Sequence, residues 1–240
     1  LAGKRRDWAA FAADYPRYRM RDDREVRCYA VAMDQLQGRP VGDADVAEVR
    51  ANWLAQRELD DGCLLAADAL HQAGRLGWRE LWLKARLAME ANRPALARAA
   101  VALDAPDAAA DVAQIQASAV RYLTSRVAVV SRKRQELVAL ALVRLAGIDP
   151  DQAAAQMDGK WAAELAPEDR DWVWAAIGKQ AQLKLSDQAP AYFAHVARER
   201  HLSDDLLAWK ARAALRFGQW RQVLAATEAM GPAARAEPVW

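Results

Sequence analysis

The 240-residue sequence lacks the features that mark several large classes of protein. No apolar run approaches the ~20 residues that a membrane-spanning helix needs, so no transmembrane segment is expected. The 34 basic and 32 acidic residues leave a net charge of only +2, which argues against nucleic acid as a partner. Neither a glycine-rich phosphate loop nor a Gly-x-Ser-x-Gly nucleophile elbow occurs, and no cofactor is predicted.

Histidine is scarce, and the carboxylates do not form an acid/base pattern. His71, His195 and His201 are not spaced as metal ligands, and a metal site needs at least three converging ligands, so no metal is predicted. The acidic segments Asp22-Asp23 and Asp204-Asp205 precede predicted helices, where carboxylates cap free N–H groups and complement the helix dipole. We therefore predict no catalytic residue in this chain.

Cysteine occurs twice, at Cys28 and Cys63. In a reducing compartment the two residues would be buried thiols, whereas in an oxidising one they could form a disulfide. Such a bridge would close a loop of 63 − 28 = 35 residues, which is worth roughly 3–4 kcal/mol in the chain-entropy model. Composition alone leaves both alternatives open.

Strong helix formers dominate what is present: alanine, leucine and arginine recur throughout the chain. No long alternation of apolar and polar residues predicts a strand. The spacing predicts helices of about a dozen residues joined by short loops, which makes neighbouring helices antiparallel. Among them are short helices over residues 119–130 and 188–199, and residues 237–240 resemble the start of a further helix. Asp43, Ser131, Asp149 and Ser203 are predicted N-caps, and Gly147 is predicted to follow the end of the helix that Ser131 begins.

One helix and its stop signal occur twice. Residues 83–92 and 209–218 share Lys, Ala, Arg and Ala at an offset of 210 − 84 = 126, and the two copies end at Asn92 and Gly218. A repeated helical unit indicates an array of stacked helices. The predicted fold is therefore all-α: an irregular, right-handed α-superhelix of antiparallel helix pairs, similar to an α/α solenoid and without a sheet.

Tryptophan is abundant, with ten residues. Most of them stand at helical spacing beside Leu and Ala, which favours core packing, but an exposed indole could stack on a sugar. We consider Trp53, Trp161 and Trp220 as candidate glycan-stacking residues.

An ordered set of short motifs resembles the N-terminal, non-catalytic superhelical domain of the soluble lytic murein transglycosylases of Gram-negative bacteria. The set consists of Cys28-Tyr29-Ala30, Gly38, Trp53-Leu54, Gly62-Cys63, Gly74, Trp82, Arg86, Lys210-Ala211-Arg212 and Gly218-Gln219-Trp220. The glutamate-serine pair and the Gly-Leu-Met-Gln segment of the family's lysozyme-like catalytic domain do not occur, so no catalytic residue carries over.

The resemblance implies a periplasmic protein and a disulfide between Cys28 and Cys63. It also implies a domain that holds or orients peptidoglycan glycan strands, while a catalytic domain in the same polypeptide cleaves the MurNAc–GlcNAc bond to 1,6-anhydro products. Residues 1–240 would then be one superhelical domain, cut at its C-terminal end, with the lysozyme-like domain absent. The alternative is a tetratricopeptide-like scaffold for protein–protein interaction with no associated enzyme.

Overall fold

The chain is all-α. The computed structural model describes residues 2–20, 22–125 and 131–240, and every regular element in these ranges is a helix. The predicted all-α class is therefore confirmed. None of the helices in these ranges is long and apolar enough to cross a membrane.

The chain divides into two compact units, residues 1–113 and 114–240. The prediction that residues 1–240 form one truncated domain stays a prediction. The first unit contains the helices α1 (Ala2–Arg5), α2 (Trp8–Asp14), α3 (Arg24–Leu36), α4 (Asp43–Ala55), α5 (Asp61–Gln72), α6 (Trp78–Glu90) and α7 (Pro94–Asp104), with 3₁₀ turns at Tyr15–Arg17 and Pro106–Ala108.

Helix α8 (Ala109–Ala117) contains the boundary between the units. The second unit contains the helices α9 (Ala119–Thr124), α10 (Arg132–Ile148), α11 (Pro150–Gln156), α12 (Ala162–Glu164), α13 (Pro167–Leu183), α14 (Ala189–Ala194), α15 (Asp204–Arg216), α16 (Trp220–Ala229) and α17 (Pro232–Arg235), a π-helical turn at Met157–Trp161 and a 3₁₀ turn at Glu199–His201.

Three of the four predicted N-caps are confirmed. The side chains of Ser131, Asp149 and Ser203 each accept a hydrogen bond from a backbone N–H in the first turn of α10, α11 and α15. Asp43 was the wrong residue for α4, where Gly42 is the N-cap. The reason is that the Asp45 carboxylate, at the third helical position, accepts the Gly42 N–H at 3.0 Å, which fixes the start one residue earlier.

Gly147 lies inside α10 and not beyond its end, so that prediction was wrong. Asp149 is the residue that separates α10 from α11. Its N–H donates to the carbonyl of Leu145 at 2.7 Å, and its carboxylate accepts the Gln152 N–H at 2.9 Å. One residue therefore ends one helix and begins the next, and no glycine is needed.

The helix expected over residues 188–199 is much shorter than predicted, because α14 ends at Ala194. The fully buried Asp171 carboxylate of α13 accepts the N–H groups of Ala197 and Arg198 at 2.9 and 3.2 Å. Because these two N–H groups bond to the carboxylate, they are not available for the hydrogen bonds that would extend α14.

Other differences fall at the ends of the chain. Helices α1 and α2 were not predicted, and residues 237–240, expected to start a helix, form a turn. The C-terminal part of a short helix predicted over residues 119–130 lies outside the described residues.

The sequence repeat is a structural repeat. Helices α6 and α15 have the same bounds once the offset of 126 is applied, as Trp78–Glu90 and Asp204–Arg216. Asn92 and Gly218 both have left-handed backbone conformations, with φ of 56° and 66°. Each residue donates its N–H to a carbonyl three residues earlier, which closes both helices in the same way.

Candidate functional site

A disulfide joins Cys28 of α3 to Cys63 of α5, with the two Cα atoms 4.8 Å apart. Both cysteines are fully buried. This is the pairing that the family resemblance implied. It ties together two helices whose neighbouring residues, Tyr29 and Gly62, pack against each other beneath a surface cleft.

The three candidate stacking tryptophans have different positions. The side chains of Trp53 and Trp161 are completely buried, so they belong to the core and cannot stack on an external sugar. The reason is that Trp53 and Trp161 stand on helix faces that neighbouring helices cover. Trp220, at the start of α16, is 70% exposed and stays a candidate.

An open cleft of about 520 Å³ lies in the second unit between α14, α15 and the start of α16. Trp220 follows the lining residue Gln219 in the sequence but does not itself line the cleft. Phe217 contributes a ring that is 41% exposed, and the amides of Gln219 and Gln222 are exposed at the rim. The remaining lining residues are Asp187, Pro190, Ala191, Phe193, Ala194, Lys210 and Ala214.

The shortness of α14 and its small side chains leave room for this cleft. Its counterpart in the first unit, α5, has 12 residues against six in α14. At the offset of 126, Pro190 and Ala191 correspond to Leu64 and Leu65, and the exposed Gln222 corresponds to the buried Leu96. Compared with the first unit, the second unit therefore has smaller apolar side chains at two of these positions and an amide in place of an apolar side chain at the third.

The charged residues that line this cleft, Lys210 and Asp187, are both paired. Lys210 is only 4% exposed, and its Nζ donates at 2.8 Å to Oε1 of Glu199, whose side chain is 29% exposed. Although burial opposes it, this hydrogen bond from the ammonium lowers the pKa of Glu199. The Arg216 guanidinium donates to Asp187 Oδ1 at 2.9 Å. An aromatic ring and two amides are therefore the exposed groups that the cleft offers to a ligand.

A second cleft, of about 490 Å³, lies in the first unit between α1, α2 and the start of α3. Four aromatic residues line it: Phe11 and Tyr29 are buried, while Tyr15 and Tyr18 are partly exposed. Phe11 and Tyr15 stack with ring centroids 5.4 Å apart, and Tyr18 follows Tyr15 at 6.5 Å. The polar lining consists of Lys4, Asp14, Asp23 and Glu25.

Tyr29 is held at the base of the first-unit cleft by close backbone contacts. A Cβ on Gly3 would lie 2.6 Å from the Tyr29 ring, and a Cβ on Gly62 would lie 2.5 Å from the Glu25 carbonyl oxygen. The Tyr29 hydroxyl donates to Asp61 at 2.9 Å. Burial and this hydrogen bond raise the pKa of Tyr29, so the phenol stays protonated at physiological pH.

Sequence reasoning found Trp220 but missed the residues that form the two clefts. Gln219 was quoted only as part of a motif, and Tyr15 and Tyr18 lie just after helices that were not predicted. Three aromatic residues within residues 11–18 were the available signal for the first-unit cleft. Among the described residues, no group of three or more His, Cys, Asp or Glu side chains is placed to hold a metal ion.

The fold is that of part of a lytic transglycosylase. The whole chain matches 39% of the lytic transglycosylase Slt from Pseudomonas aeruginosa, solved as an inactive mutant, with a TM-score of 0.61 and 21% identity. It also matches 39% of the 70-kDa soluble lytic transglycosylase in complex with bulgecin A, with a TM-score of 0.51 and 17% identity. No protein-family model and no curated protein matches the chain. The chain thus spans about two fifths of the length of these solved proteins.

Proposed function

We propose that this chain is a non-catalytic domain of a periplasmic lytic transglycosylase and that it holds glycan strands of peptidoglycan. The observation that carries the proposal is the fold match over the complete chain to a lytic transglycosylase. The parent protein would cleave the MurNAc–GlcNAc bond to 1,6-anhydro products with a separate catalytic domain in the same polypeptide. The buried disulfide supports an oxidising compartment such as the periplasm.

The second-unit cleft, together with Trp220, is the place we propose for the glycan. A pyranose ring presents apolar C–H faces and polar edges, so it needs aromatic surface and hydrogen-bonding groups side by side. Trp220 and Phe217 supply exposed aromatic surface, and Gln219 and Gln222 supply amides that both donate and accept. The paired charges of Lys210 and Glu199 leave a wall that suits an uncharged ligand.

Sedimentation with purified peptidoglycan sacculi tests the proposal. We expect the chain to bind sacculi and Trp220→Ala to weaken binding by roughly threefold to tenfold, the range of one aromatic contact. Ile148→Ala, which removes an apolar side chain that is 57% exposed in the same unit, is the matched control and should bind normally. Equal binding by Trp220→Ala and the unchanged chain would contradict the proposed site.

The non-catalytic part of the proposal has its own readout. Sacculi incubated with the chain alone should release no anhydro-muropeptides, because the proposal assigns bond cleavage to another domain. Release of such products would overturn it, irrespective of the binding result.

A further inference from the structure

We propose that the first-unit cleft is a second glycan-binding site, with Tyr15 and Tyr18 as its stacking surface. This inference rests on the proposed function for the class of ligand, but on different residues. Each of the two units would then carry a glycan-binding site of its own.

The aromatic part of this cleft forms a continuous surface. Phe11 and Tyr15 stack nearly parallel, with 17° between their planes, and Tyr18 continues the row beyond Tyr15. Both tyrosines line the cleft and are partly exposed, so their rings can contact a ligand. A row of two accessible rings matches consecutive sugar units better than it matches a single small molecule.

The rings are held in place before a ligand arrives. The Tyr18 hydroxyl donates to Asp22 Oδ1 at 2.6 Å and accepts the N–H of Asp23, also at 2.6 Å. The hydrogen bond from Tyr18 lowers the pKa of Asp22, which keeps that acceptor ionised. Fixed rings lose little conformational entropy on binding, so their contact area contributes more to affinity.

The charges of the cleft favour a neutral ligand. Glu25 already has the ammonium of Lys4 at 3.4 Å, and Asp14 has the guanidinium of Arg17 at 4.0 Å. Asp23 accepts the Val26 N–H and stands at the positive end of the α3 dipole. Each carboxylate is thus compensated but keeps further lone pairs, which accept hydrogen bonds from sugar hydroxyls. An ionic ligand would have to displace these local partners.

A short oligosaccharide tests each of the two sites by itself, since the two clefts are lined by different residues.

An amide NMR titration with N-acetylchitotetraose tests the inference. We expect two groups of shifted amides, one within residues 11–29 and one within residues 214–224. Tyr15→Leu, which keeps apolar volume against Phe11 but removes the ring, should weaken the first group about tenfold and leave the second unchanged. Tyr15→Phe keeps the ring and should restore normal binding at the first site.

The outcomes separate this inference from the proposed function. Absence of the first group, or a first group that is unaffected by Tyr15→Leu, would overturn the second site. Absence of the second group, or its persistence in Trp220→Ala, would overturn the proposed second-unit site and leave this inference standing.

Discussion

The two units of this chain follow one helical plan but are stabilised differently. Applying the offset of 126 to Cys28 and Cys63 gives Ala154 and Ala189, and both alanines are buried. Where the first unit has a covalent link between helices, the second has two methyl groups in its core. The comparison shows that the same helical plan accommodates either a disulfide or two buried alanines at these positions.

The same comparison distinguishes two buried lysines. Lys84 and Lys210 are equivalent in the repeat and are 1% and 4% exposed. The ammonium of Lys210 donates to the Glu199 carboxylate, whereas that of Lys84 donates to the backbone carbonyl of Gln56. Burial lowers the pKa of Lys84 to about 8, although the charge of the Asp60 carboxylate raises it in part. A hydrogen bond to a carbonyl compensates a buried charge less than one to a carboxylate does, so the first unit carries an electrostatic cost at this position.

The largest effect is expected from giving the first unit the residues of the second. Cys28→Ala with Cys63→Ala should lower the free energy of unfolding of the first unit by roughly 3–4 kcal/mol, because the unfolded chain regains the entropy of a 35-residue loop. Hydrogen exchange measures this: α3 and α5 should lose protection, and α11 and α13 should keep it. Equal losses in both units would mean that they do not unfold independently.

The next largest effect is expected in the pH dependence of the free energy of unfolding, through the buried Lys84. Between about pH 8 and the ordinary lysine pKa of 10.5, the unfolded chain binds more protons at Lys84 than the folded chain does. The free energy of unfolding should therefore rise with pH over this window, by up to about 3 kcal/mol in total. Burial raises the pKa of Tyr29 above its ordinary value of 10.0, so its titration lowers the free energy of unfolding at higher pH. The rise due to Lys84 is therefore best measured below pH 10.0.

Urea denaturation at several pH values checks this prediction. The rise should disappear in Lys84→Met and persist in the matched variant Lys210→Met, which leaves Lys84 in place. If the free energy of unfolding still rises with pH in Lys84→Met, another titrating group must cause the rise.

Glycine-to-alanine substitutions compare close helix contacts in the two units. Gly62→Ala would place a Cβ 2.5 Å from the Glu25 carbonyl oxygen, and Gly178→Ala would place one 2.8 Å from the Phe193 ring. Each should lower the free energy of unfolding by about 1–3 kcal/mol, with Gly62 the more sensitive because the disulfide holds its neighbour. Thermal unfolding measures both.

Gly147→Ala is the control for these substitutions. Among the described residues, no atom outside its own helix backbone lies within 4 Å of the added Cβ, and the residue is helical, so this variant should gain about 0.5–1 kcal/mol. A loss of stability in Gly147→Ala would show that intrinsic helix propensity does not govern this position.

The smallest effects are expected at Gly218, which ends the second copy of the repeat. Gly218→Ala should lower the free energy of unfolding by about 1 kcal/mol, because a Cβ is strained at its φ of 66°. Gly218→Asn, which copies the first unit, should cost less than Gly218→Ala, and thermal unfolding can rank the two variants.

The helical signals that could be read locally were predicted well. Ser131, Asp149 and Ser203 cap helices as expected, since a cap needs only the residues of the first turn. The errors at Asp43 and Gly147 came from local groups that were overlooked, Asp45 and Asp149. The error in the length of α14 arose because a distant group decides the local structure. The early end of α14 depends on Asp171, which stands 26 residues before Ala197, and no local pattern records that bond.

In the candidate site, too, local sequence predicted some features and distant packing decided others. The exposure of Trp220 and the burial of Trp53 and Trp161 could not be distinguished by sequence, because all three stand beside apolar residues in helices. Which face of a helix meets solvent depends on how neighbours pack around it. The aromatic first-unit cleft was missed for a related reason, since it forms only when α2 lies against α3.

Helix content and the repeated helix can be read from the order of the residues, because they depend on propensity, spacing and capping within a few turns. Tertiary packing decided which buried lysine donates a hydrogen bond to a carboxylate, which tryptophan meets solvent and where clefts open. These outcomes depend on side-chain volumes and charges brought together across tens of residues, as the contrast between Pro190-Ala191 and Leu64-Leu65 illustrates.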